Sequence, residues 1–141
     1  MRGALAGILL AAIIVACGGR QRTDDGFGTR SEILTLWTQI RDWRARASIR
    51  VEPLPATLIQ MQGKTVGEAK KVCAEPSDVP KPCDDVCSLS DAICDNAERI
   101  CKLADQLGKD DRFGQEKCAS AKASCHEAEQ RCCECTDKET P

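Results

Sequence analysis

Two series of cysteines, each repeating every seventh residue, constrain this chain more than any other feature. The first is Cys87, Cys94 and Cys101, and the second is Cys118, Cys125 and Cys132. Seven residues is close to two turns of an α-helix, so each series lines one helix face. Between them lies Leu107-Gly108-Lys109-Asp110-Asp111. Gly108 suits the conformation that ends a helix. Asp110 and Asp111 suit the N-terminus of the next one. So short a connection makes the two helices antiparallel neighbours.

Folding the chain at that turn brings Cys101 to Cys118, Cys94 to Cys125 and Cys87 to Cys132 in a single register. Between these rungs Ala97 lies across from Ala121, Ser90 from Ala128, and Ala104 from Gly114. Small residues there let the backbones approach, and a disulfide needs Cα atoms roughly 4.4–6.8 Å apart. The same register places Cys83 near Cys135 and leaves Cys73 for Cys133. The exchanged pairs, Cys73 with Cys135 and Cys83 with Cys133, stay open at this point. Cysteines can also serve as small buried hydrophobes, but three matched pairs in one register favour bridges.

The chain needs such staples. Its 141 residues include two Trp, two Phe and no Tyr, a poor supply of large core side chains. Small domains short of core commonly add disulfides, worth roughly 2–4 kcal/mol each. Bridged cysteines imply an oxidising compartment. The count of eleven is odd, and the N-terminus accounts for the extra residue.

Met1 to Ala16 reads as an export signal. Arg2 supplies the positive end, and Ala4 to Ala16 is an unbroken run of apolar and small residues. That run is too short to span a bilayer as a helix, which needs about 20 residues. Its closing tetrapeptide, Ile14-Val15-Ala16-Cys17, resembles the lipobox of bacterial lipoproteins. The resemblance implies cleavage before Cys17, acylation of its thiol by chains such as palmitate, and attachment to a membrane. Gly18 is not the aspartate that retains many such proteins at the inner membrane. By that analogy the expected location is the outer membrane of a Gram-negative envelope, with the facing open.

The mature chain divides by composition. Residues 17–30 read as a flexible tether from the lipidated cysteine. Residues 31–74 read as two amphipathic helices. In the first, Ser31 offers a cap, and Ile33, Leu36, Trp37, Ile40, Trp43 and Ala47 recur at helical spacing. Arg41, Arg44, Arg46 and Arg50 are assigned to its opposite, solvated face. Pro53 and Pro55 end it, and Pro55 suits the start of the second helix. Gly63 and Gly67 weaken that second helix, and a break in it stays open at this point. Residues 75–82 form a Pro-rich linker, residues 83–135 the cysteine hairpin, and residues 136–141 a frayed tail. The hairpin carries apolar residues beside its cysteine seam, among them Ile93, Ile100 and Leu103. The N-terminal helices are expected to cover that surface, although Trp37 and Trp43 also sit near the proposed anchor, where an interfacial helix is the rival arrangement.

The segment from Gly18 to Arg50 carries seven arginines against four acids, and the hairpin from Asp84 to Cys135 twelve acids against seven bases. Neither has a run of like charge, so both read as solvated faces. No basic–aromatic pattern suggests nucleic acid. Cys132-Cys133-Glu134-Cys135 contains a CxxC, but it ends a helix rather than starting one, which argues against redox catalysis. His126 is the one histidine and reads as an ordinary exposed residue. With no nucleophile elbow and no HExxH, there is nothing to assign to hydrolysis.

The chain also distantly resembles the cysteine-lined helical bundles that store copper in some exported bacterial proteins. Those use dense CxxxC repeats, whereas a spacing of seven aligns cysteines across helices better than it chelates within one. The sequence therefore reads as an all-α domain: a disulfide-laddered antiparallel helical hairpin with two N-terminal amphipathic helices packed on it. The expected function is a lipid-anchored, non-catalytic structural or protein-interaction module of the cell envelope. It needs no cofactor, and its partners are the membrane and another envelope protein rather than a small-molecule substrate. The alternative is a thiolate metal-binding protein for copper or zinc.

Overall fold

A computed structural model describes residues 24–74 and 79–139. The export signal, Cys17 and part of the linker and tail therefore lie outside the described residues. The order of elements is α1 (Asp24–Arg46), α2 (Pro55–Gln60), α3 (Val66–Ala69), a 3-10 turn (Lys81–Cys83), α4 (Asp84–Leu107) and α5 (Arg112–Glu139). The fold class is all-α.

Helices α4 and α5 form the antiparallel hairpin. Gly108 ends α4 with φ +105°, a value that disfavours any side chain. Asp111 precedes α5 and accepts a hydrogen bond from the Gly114 N–H at 2.8 Å, the N-cap arrangement that satisfies one free donor of a helix start. The small residues of the seam do what their size permits. A methyl group on Gly114 would stand 3.2 Å from the Ala104 Cα. Ala97, Ala121 and Ala128 are buried.

Helix α1 lies along the hairpin, parallel to α5 and antiparallel to α4. Polar contacts fix this direction. Arg30 pairs with Asp111 at the hairpin turn, Glu32 with Arg99, and the Asn96 amide donates to Gln39 at 2.9 Å. Ile33, Leu36, Trp37 and Ile40 enter the core beside Ile93, Ala97 and Ile100. Trp37 is 5% exposed, and the Lys117 ammonium lies 5.0 Å from its ring centroid, a cation–π contact. Trp43 is half-buried against the same core.

Three expectations need correction. Helix α1 starts at Asp24, not Ser31, so residues 24–30 are not a flexible tether. Gly26 and Gly28 made the stretch read as loose, but the Arg30–Asp111 pair ties its end to the hairpin. The second N-terminal helix is two short ones, with Gly63 at φ +70° between them. Thr65 caps α3 by a reciprocal exchange with Glu68, and this holds the Glu68 carboxyl below the usual carboxylate range. Finally, α5 continues through Glu139. Thr136 is buried, and its hydroxyl donates to the Cys133 carbonyl at 2.9 Å.

Candidate functional site

The feature that dominates the molecule is the ladder itself. Cys101–Cys118, Cys94–Cys125 and Cys87–Cys132 join α4 to α5 with Cα separations of 4.6, 4.6 and 4.8 Å. Cys83–Cys135 and Cys73–Cys133 follow at 5.8 and 6.2 Å. All lie within the range a disulfide tolerates. The inner three are short because alanine and glycine line the seam. The outer two are longer because Cys83 lies on the 3-10 turn and Cys73 follows α3 in irregular chain. The pairing is the one with Cys73 on Cys133, not its exchange. Of the ten bridged cysteines, Cys73 alone is exposed.

The bridges leave these thiols with neither nucleophilic nor metal-binding character. Among the described residues, no group of three or more His, Cys, Asp and Glu side chains is placed to hold a metal ion. Nor is any described helix long and apolar enough to cross a membrane.

The second feature is buried and polar. Arg44 is 0% exposed. Its Nη2 donates to Glu127 Oε2 at 2.5 Å. Its Nε donates to the Arg50 carbonyl at 2.7 Å and the Val51 carbonyl at 3.2 Å. Nη1 reaches the Ser124 carbonyl at 3.4 Å. Glu127 uses its other oxygen to accept from the Leu54 N–H at 2.8 Å. One guanidinium and one carboxylate thus join the end of α1, the chain leading to α2, and the middle of α5. A buried charge is tolerated only when paired and hydrogen-bonded in this way. The planar fork of arginine, with five donors, suits the task.

This corrects the assignment of Arg44 to the solvated face. Its position held the signal: it falls at helical spacing from Ile33, Trp37 and Ile40, on the core stripe. His126 is also corrected, being buried, with Nδ1 3.3 Å from the Ala69 carbonyl. Its Nε2 has no hydrogen-bond partner among the described residues. The reason is common to both. Helix α5 is central, touched by α4, α1, α2 and α3, so Ala123, Ser124, Cys125, His126, Glu127 and Ala128 are all buried. No single apolar stripe could announce that.

Two clefts flank this centre. One is lined by Ser48, Leu54, Glu127 and Arg131, among others. The other lies beside Cys73, Cys87 and Cys132, with Lys70 and Asp91 at its walls. Burial works against the Lys70 charge, but its pairs with Glu98, at 3.1 Å, and Asp95 outweigh that and raise its pKa above the ordinary value. Lys70 is therefore a held structural cation rather than a poised base. The arrangement is that of a small, disulfide-rich helical module. Compared with protein-family models, curated proteins and solved structures, the chain matches none.

Proposed function

We propose that this chain is a lipid-anchored protein of the bacterial cell envelope, attached through Cys17, whose folded part is a non-catalytic structural or protein-interaction module. One observation carries the reading. Ten of the eleven cysteines are bonded in five pairs, and the eleventh is the residue that closes Ile14-Val15-Ala16-Cys17. Bridges of this density belong to an oxidising compartment, and a tetrapeptide resembling a lipobox belongs to export. The two features agree on where such a chain would work. Gly18 favours the outer membrane by the same resemblance.

A rigid ladder with few aromatics suits a part that must persist outside the cytoplasm more than one that must open and close. Intact mass measurement of the native protein tests the anchor. The expected species starts at Cys17 and carries acyl chains. A mature chain that begins elsewhere, or an unmodified Cys17, removes the proposal.

A further inference from the structure

Taking the anchor reading as its starting point, we propose that the outward face of α1, centred on Phe27 and Leu34, lies against the lipid–water interface and lays the module along the membrane. Phe27 is 78% exposed and Leu34 is 48% exposed. They are seven residues apart on one helix, so they share a face. Ile33, Trp37, Ile40 and Arg44 turn away from them, committed to the core or to Glu127.

The rest of the outward face suits the same occupant. From Phe27 to Arg41 it presents Ser31, Leu34 and Thr38 between the two ends. Thr38 turns its hydroxyl back onto the Leu34 carbonyl at 2.9 Å, so it adds little polarity to the surface. Glu32 is drawn to one side by Arg99. Asp42 also lies toward solvent, but it is near the far end of the helix. Phe27 and Leu34 supply the apolar contacts of that face, its hydroxyls suit the headgroup region, and Arg41, paired with Glu52, flanks it.

The length of chain before the helix supplies the second argument. Only seven peptide units separate Cys17 from Asp24. However they are arranged, they span no more than about 25 Å at full extension. An acylated Cys17 therefore keeps the start of α1 near the headgroups, and Phe27 is three residues further on. Arg30 lies one turn beyond and is paired with Asp111 at the hairpin turn. Because α1 runs alongside α4 and α5, the hairpin lies along the membrane with it.

Site-specific photo-crosslinking in the anchored protein tests this. A benzophenone analogue of phenylalanine replaces Phe27 in one sample and Ile59 in another. Ile59 is 67% exposed on α2, a matched control away from the proposed contact face. Both full chains are placed in phosphatidylethanolamine–phosphatidylcholine vesicles and irradiated. The mass of Cys17 is read in the same samples. The expected result is a lipid adduct at position 27, severalfold more abundant than at position 59. With Cys17 acylated, no lipid adduct at position 27, or an adduct to a second protein copy instead, overturns the interfacial face and leaves the anchor standing. An unacylated Cys17 ends both.

Discussion

Arg44 Nη2 and Glu127 Oε2 meet at 2.5 Å in a region where Arg44 is wholly buried and Glu127 nearly so. Each partner also holds backbone groups of the segment between α1 and α2. Replacing Arg44 by Met strands a carboxylate inside the domain. Replacing Glu127 by Leu strands a guanidinium. Each single change should cost about 3–5 kcal/mol. The double variant Arg44→Met with Glu127→Leu should cost clearly less than the two losses added, because no orphan charge remains. It should not reach wild-type stability, since the carbonyls of Arg50 and Val51 and the Leu54 N–H lose their partners. Urea unfolding of the four proteins measures this cycle. Strictly additive losses would show that the two side chains are not coupled.

Ser48 takes φ +57° two residues after the end of α1. Its N–H bonds to the Ala45 carbonyl at 3.1 Å, and the Ile49 N–H bonds to the Arg44 carbonyl at 2.9 Å. This is a Schellman ending, whose left-handed position favours glycine. The turn sends the chain back so that the carbonyls of Arg50 and Val51 face the Arg44 Nε. Ser48→Gly should therefore stabilise the domain by about 0.5–1 kcal/mol, the cost of a side chain in this conformation less the flexibility glycine adds to the unfolded chain. A lowered melting temperature for Ser48→Gly would mean that the serine side chain makes a contribution beyond its backbone.

Asp111 couples the hairpin turn to α1. The Gly114 N–H and then the Arg30 guanidinium hold its carboxyl below the usual carboxylate range. A depressed folded pKa means that the stabilisation is complete above the unfolded value, about 3.9, and is lost as pH falls through the folded value. Asp111→Asn keeps an acceptor for the cap but removes the charge. The variant should be less stable than wild type at pH 7, and the gap should close below about pH 4. A gap that persists unchanged at pH 2 would place the loss in the cap rather than in the charge.

The parts of this fold legible in the sequence were those written in periodicity. Cysteines at every seventh position, with alanine, serine and glycine between them, specify both helices and their register. The turn at Gly108 and Asp111 could be read from two residue types with fixed conformational roles. What was not legible depended on how many neighbours a helix would have. Nothing local says that α5 is touched by four other helices, so the burial of His126 and Glu127 had no signature. Arg44 stood on the apolar stripe by position, and its charge masked the fact. Asp24 to Arg30 looked loose because two glycines lower helix propensity, while the Arg30–Asp111 pair that ties down that turn is distant in sequence and close only in the fold.

The bridges should open in a definite order. A thiolate must reach one sulfur of a disulfide to attack it. Cys73 is exposed and lies outside any helix, whereas Cys94 and Cys125 are both 0% exposed between two closely approaching backbones. Brief treatment with dilute dithiothreitol, followed by alkylation and peptide mapping, should label Cys73 and Cys133 first, and Cys94 and Cys125 late. Removing the pair by Cys73→Ser with Cys133→Ser should lower stability only modestly. Met61, Val66 and Ala69 still bury the arm it fastens, and the inner rungs already restrain Cys133, so a sequence separation of 60 overstates its entropic effect. The inner rungs should behave differently. Cys94→Ala alone leaves a thiol at Cys125 beside neighbouring bridges, free to exchange with them. That single variant should scramble and aggregate more than Cys94→Ala combined with Cys125→Ala, which leaves no attacking group. Labelling of Cys94 before Cys73, or equal behaviour of the single and double variants, would show that access and orphan thiols do not govern how this ladder comes apart.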